Sequence, residues 1–389
     1  MKRQWITKNV TLIAFSAFFA DLGYQAAIAL FPIFLVSVLG AQASVFGVAT
    51  AIAFGIGSFF GYIGGIAGAM FGDKRVAILG NSLIPLISLM GLASSPTIAA
   101  ALFSGGWWAR NFRSPSRRTM LVNSTRNADR GKAFGFLHAL DLGGGALSVL
   151  VLLVLMIAGA AISTILLLTM IPLAASTALL FLVDEVKSGA QKVKKKVRSI
   201  KAVTGIGKGT YKGIILATAL YGFSSYTFGF PILTIAHVSN DLLGIGAYGI
   251  YLGVSAASGY YIGSRKWRKT RSLSLAGYAM SGLGTLTIGL GYMMHLGVAS
   301  LFVGVIALGF GLGAIETLEP TLISLIKNKS EVSRGMGALA GSRGIGIFSA
   351  NIIMGILYVI NPSDSYIYAA IVALVAAAIV LVSSGEATG

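Results

Sequence analysis

The sequence predicts an all-α membrane protein of twelve transmembrane helices in two six-helix, pseudo-symmetric bundles. Three observations lead there. Of 389 residues, 56% are hydrophobic and 11% charged, with a mean hydropathy of +0.83, whereas a soluble domain carries about a quarter charged residues. The apolar residues fall into six long blocks, each interrupted once near its middle by a short turn without Lys or Arg. All but one of the 30 Lys and Arg residues occupy the gaps between those blocks.

A bilayer core about 30 Å thick needs about 20 helical residues to cross, so each block supplies two crossings. After Lys2 to Lys8 come helices over 9–39 and 43–71, divided at Gly40 to Ser44. Lys74 and Arg75 precede helices over 76–93 and 97–114, divided at Ser94 to Pro96. The stretch Arg110 to Lys132 precedes 131–159 and 161–183, and Lys187 to Lys212 precedes 213–236 and 243–263. Arg265 to Arg271 precedes 272–294 and 299–326; Lys327 to Arg334 precedes 335–360 and 366–384, divided at Asn361 to Ser365. Only Arg343 stands inside an apolar stretch. Because Lys and Arg of short loops stay on the cytoplasmic side, both termini are expected there, in a multi-pass protein of the cell membrane. The outer loops carry only Asp241, Asp364, His237 and His295 as chargeable groups. The first apolar run is too long for a signal-peptide core and stays as helix 1.

The polar segment 184–212, with nine Lys or Arg against Asp184 and Glu185, reads as a cytoplasmic linker between six-helix bundles at 1–183 and 213–389. The bundles look like a repeat. Pro115 precedes Arg130-Gly131 by fifteen residues, and Pro320 precedes Arg334-Gly335 by fourteen. Parallel six-helix repeats place a ligand site between the halves near the midplane. The net charge of +18 is divided among six regions, which argues against nucleic acid and for attraction to anionic lipids of the inner leaflet. The absence of Cys removes disulfides and thiolate sites. Glycine runs such as Gly143 to Gly145 precede no Lys-Ser/Thr pair and read as close-packing helix faces.

Several stretches resemble the major facilitator superfamily, in particular a prokaryotic branch of permeases. They are Phe18-Phe-Ala-Asp-Leu-Gly-Tyr-Gln25 of helix 1, the loop Gly68-Ala-Met-Phe-Gly-Asp-Lys-Arg75, and Arg113-Ser-Pro-Ser-Arg117 followed by Arg130-Gly-Lys-Ala-Phe-Gly-Phe-Leu-His-Ala-Leu-Asp141. The resemblance is closest over residues 15–150 and topological beyond. It departs at Gln25, where the branch usually has an acid, at Ser148-Val149, where many exporters have Gly-Pro, and at Arg118, where the branch has Asp. It implies a secondary transporter working by alternating access.

An ionisable group inside a bilayer costs about 2.5–3.5 kcal/mol on insertion scales and is a site candidate by default. Asp21 lies near the midplane of helix 1, and Tyr24 and Gln25 at i+3 and i+4 share its face. Burial disfavours a charged carboxylate, which makes Asp21 the proton-carrier candidate. Arg110 and Arg113 share a face of helix 4 and are candidates to attract an anionic group. His138 and Asp141 share a face of helix 5. In the second half the signs exchange, with Glu316 and Glu319 on helix 10 and Arg343 on helix 11 as a candidate switch. Asp73, Lys74, Arg75, Arg117 and Arg130 are candidates for a cytoplasmic gate.

The expected function is proton-linked movement of a small solute, with export the favoured direction. The alternatives are uniport, export of a metal ion or chelate through Asp21, His138 and Asp141, and a sensor or lipid-handling protein without solute flux. Neither enzymatic chemistry nor a cofactor or resident metal is expected. The expected partners are the solute, protons and anionic lipids, with the chain a monomer.

Overall fold

The computed structural model describes residues 6–126, 129–184, 208–264, 270–326 and 332–385. Every regular element among them is helical. The first half comprises α1 (Lys8–Val38), α2 (Ala43–Phe71), α3 (Asp73–Leu92), α4 (Pro96–Asn123), α5 (Arg130–Ile157) and α6 (Ile162–Phe181). The second comprises α7, in two pieces (Lys208–Ser224 and Gly229–Val238), α8 (Asp241–Ser264), α9 (Thr270–Met293), α10 (Val298–Ile326), α11 (Val332–Ile360) and α12 (Pro362–Gly385).

Length and composition alone admit 11 of these as membrane-spanning. The exception is α4, whose 28 residues include Arg110, Arg113, Arg117 and Arg118. At about 1.5 Å per residue it is long enough to cross, and its cationic face is what lowers its hydropathy. It also runs beyond the expected end at residue 114. Pro115 is accommodated inside the helix. At its start, Ser95 accepts a hydrogen bond from the Ile98 N–H and Pro96 occupies the first turn, satisfying or removing amides that have no partner in a helix's first turn. Gly72, with φ of 93°, makes the corner between α2 and α3.

The other departure from expectation is α7, which reads as one helix over 213–236 but is unwound at residues 225–227. The cause is local. Pro231 has no N–H to offer the Thr227 carbonyl, and the hydroxyls of Ser224 and Ser225 both donate to the Tyr221 carbonyl at 2.8 Å, competing with the backbone ladder. Helix α7 also begins at Lys208, inside the stretch read as linker; residues 185–207 lie outside those described.

Lys8 pairs with Asp184 at 3.1 Å, so α1 starts and the first half ends on the same face of the molecule. On the opposite face the two halves meet. The Gly47 and Gly355 backbones touch, since a Cβ on Gly47 would stand 2.8 Å from the Gly355 Cα. Phe46 packs edge-on to Phe230 at 5.1 Å. The α2–α11 seam continues inward through Gly55 against Phe348 and Ser58 beside Gly344, and Val149 of α5 meets Gly249 of α8. Small residues let these backbones approach closely.

Candidate functional site

Asp21 is buried in α1, about 20 Å along the helix from Lys8 at about 1.5 Å per residue. The Tyr24 hydroxyl donates to its Oδ1, and the Gln25 amide donates to the same oxygen at 3.4 Å. Oδ2 is buried without a hydrogen-bond partner among the described residues. Arg110 of α4 does not reach the carboxylate. Its guanidinium donates to the Tyr24 hydroxyl at 3.2 Å and lies 4.7 Å from the Trp107 ring centre and 5.1 Å from that of Tyr24. A cation that donates to a phenol strengthens that phenol's own donation, so Arg110 acts on Asp21 through Tyr24. Gln25 is held from the other half, because the Tyr248 hydroxyl of α8 donates to its Oε1 at 2.8 Å. Asp21 is thus the end of a hydrogen-bond chain that crosses between the bundles.

Arg113 is fully buried and donates to the Asn81 side chain of α3. Asn81 in turn donates to Thr177 at 2.8 Å and Ser176 at 3.1 Å on α6. Arg110 and Arg113 therefore serve different neighbours, an outcome that i, i+3 spacing on α4 does not reveal. Arg117 is the residue of α4 that meets an acid, Asp141 of α5, at 3.6 Å. His138 is exposed and takes no part in that contact. Among the described residues no three His, Cys, Asp or Glu side chains converge as metal ligands.

In the second half the expected charges do meet. Arg343 of α11 bridges Glu316 and Glu319 of α10 with its two terminal nitrogens. The two acids differ in setting. The Glu319 side chain is 2% exposed and that of Glu316 is 55% exposed. Glu319 also accepts from the Tyr278 hydroxyl of α9 and from Thr218 of α7, the latter at 3.1 Å. Four helices are tied at this one carboxylate.

The gate candidates are scattered. The Asp73 carboxylate lies beside the Ser116 hydroxyl against Gly68, where α2, α3 and α4 converge. Lys74 donates to the Phe181 carbonyl at the end of α6 at 3.0 Å. Arg75 is exposed. The Arg130 side chain lies outside the described residues.

Between the halves is a chamber of about 240 Å³. Ile28 of α1 and Phe54 of α2 face it from the first half; Tyr248 and Tyr251 of α8, Asn351 of α11 and the unwound stretch of α7 face it from the second. Phe228 stacks on Tyr251 with ring centres 4.2 Å apart. Asn351 pins the unwound stretch, as its Oδ1 accepts from the Thr227 N–H at 3.0 Å and from Thr50 of the other half at 3.2 Å. Sequence reasoning missed these residues. Asn351 was the findable one, being the only side-chain amide in helix 11, since a polar group inside an apolar span calls for a partner. The tyrosines give no such signal, because in an apolar helix a tyrosine reads equally well as packing.

Comparison with known proteins agrees with this architecture. A family model described as Major Facilitator Superfamily matches residues 13–307. No curated protein matches the chain. Among solved structures, a D-xylose-proton symporter superposes with a TM-score of 0.75 at 14% identity, covering 99% of each chain. A proton dependent oligopeptide transporter gives 0.76 at 13% identity over 98% of each. The nucleoside transporter NupG gives 0.72 at 11% identity, over 97% of this chain and 98% of that one. At such identities these likenesses establish the fold. The family match over most of the chain, two six-helix halves and a chamber at their junction together place this protein in the major facilitator superfamily.

Proposed function

We propose that the protein is a proton-coupled secondary transporter of a small solute, with the inter-half chamber as substrate site and Asp21 as proton carrier. One observation carries the reading. Asp21 is a buried carboxyl at mid-membrane with one oxygen held by Tyr24 and Gln25, the other unpartnered, and no cation directly against it. Such a group can gain and lose a proton without breaking an ion pair. Its link through Gln25 to Tyr248, a chamber residue of the opposite half, gives the proton state a route to the substrate site. By the distribution of Lys and Arg, the face carrying Lys8 and Asp184 is cytoplasmic. The halves therefore meet on the outer side, and the state described is closed to the outside. Structural relatives named as proton-linked transporters support the coupling by analogy.

The test uses proteoliposomes loaded with a pH-sensitive dye and challenged with a panel of neutral, anionic and cationic small solutes. At least one solute is expected to move protons through the wild type. Asp21→Asn, which resembles the protonated side chain in shape, should abolish that signal while solute binding persists. An undiminished proton response in Asp21→Asn removes Asp21 as carrier and makes Asp141 the next candidate. Everted vesicles are the first preparation to use, because export is the expected direction.

A further inference from the structure

We propose that the chamber takes a small, uncharged, ring-bearing solute with one neutral polar substituent, such as an amide or hydroxyl. This names a substrate class for the site above and rests on that reading for the chamber's role in transport. Size is the first argument. About 240 Å³ equals roughly eight waters at about 30 Å³ each, enough for one ring and a short substituent and below the range of about 300–1,000 Å³ typical of ligand pockets.

The walls supply the second argument. Phe228 and Tyr251 stack, with Tyr248 tilted against Phe228 at 5.5 Å, and an aromatic wall of this kind gains from a further ring packed against it. Polar recognition is sparse, because the hydrogen-bonding groups are mostly committed to protein partners. Tyr248 donates to Gln25, Tyr226 is bonded to Thr285, and Asn351 serves Thr227, Thr50 and Ile347. The Tyr251 hydroxyl has no hydrogen-bond partner among the described residues, and Tyr251 also borders a side lobe of about 60 Å³ beside Ser224 and Ser281. That lobe holds roughly two waters, or one small polar substituent.

Charge supplies the third. Among the described residues, no Asp, Glu, Lys, Arg or His lines either space. Arg110 is covered by Tyr24 and Trp107, and Arg343 is engaged by both glutamates. An ion entering the chamber would lose its hydration without meeting a counter-charge, which is the costly case.

Benzamide, benzoate and benzamidinium share one shape and differ in charge. Equilibrium dialysis of each labelled probe against the purified full-length protein reads the discrimination directly. Benzamide should bind saturably and at least about tenfold more tightly than either ion. Tyr251→Ala and Ile28→Phe, the second filling the chamber from the opposite wall, should each weaken benzamide about tenfold or more. Tyr251→Phe should weaken it about two- to tenfold, the loss of one hydrogen bond. If Tyr251→Ala does not fold, the other two variants decide. The proposal is overturned if either ion binds as tightly as benzamide, if none of the three saturates, or if folded Ile28→Phe binds benzamide normally. No gradient enters this measurement, so its failure leaves the Asp21 test untouched, and a failed proton response leaves the binding result standing.

Discussion

Arg343→Met offers the sharpest measurement of what the second-half charge cluster does. The substitution keeps the unbranched apolar stem while withdrawing the cation from two carboxylates in unequal surroundings. At Glu319, with 2% of its side chain exposed, Oε2 loses its partner, and Tyr278 and Thr218 remain on Oε1 only. A buried charge left without its partner costs about 3–5 kcal/mol. The escape route is protonation. For a carboxyl with the ordinary glutamate pKa of about 4.3, taking up a proton at pH 7 costs about 3.7 kcal/mol, at 1.36 kcal/mol per unit. Both routes give the same magnitude. At Glu316, 55% exposed, water replaces the cation and the loss is about 0–1 kcal/mol. Two double-mutant cycles separate these cases, read as thermal unfolding of the detergent-solubilised protein. Arg343→Met with Glu319→Gln should recover at least about 2 kcal/mol relative to additivity, and Arg343→Met with Glu316→Gln less than about 1 kcal/mol. Additive losses in the first cycle, or equal coupling in both, would refute the reasoning that burial makes Glu319 the anchor and Glu316 the releasable partner.

Three further outcomes follow from the geometry. Tyr248→Phe and Gln25→Leu each remove the same inter-half hydrogen bond, worth about 0.5–1.5 kcal/mol; the double variant should unfold no earlier than the worse single one, and a fully additive loss would show the bond to be absent. Gly47→Val places side-chain atoms where the Gly355 backbone lies, so it should hold the outer seam open. A cysteine replacing buried Phe230 should then label with an impermeant maleimide only in the Gly47→Val background, and equal labelling in both would remove the seam as an outer gate. In this chain without cysteine, Asp184→Cys and Leu296→Cys, both at exposed positions, should label from opposite sides of the membrane; labelling from one side would overturn the assignment of faces.

Class, helix number and the division into halves were legible in the sequence because they are one-dimensional quantities. A helix must be long and apolar to cross, and the apolar blocks and the turns between them can be counted along the chain. The intramembrane charges were legible for the same reason, as exceptions to an apolar rule. Their partners were not. Spacing on one helix tells which side chains share its face, but the rotation of each helix against its neighbours decides what that face meets. Arg110, Arg113 and Arg117 look alike in the sequence, yet they reach a tyrosine, an asparagine and an aspartate respectively. Arg343, Glu316 and Glu319 met as their signs suggested. The chamber lay furthest from view. It depends on the unwinding of α7 at residues 225–227 and on Asn351 joining that stretch to Thr50, 301 positions away in the chain. Such a contact exists only once both bundles have folded and packed, since neither local propensity nor hydrophobic periodicity carries information across that separation.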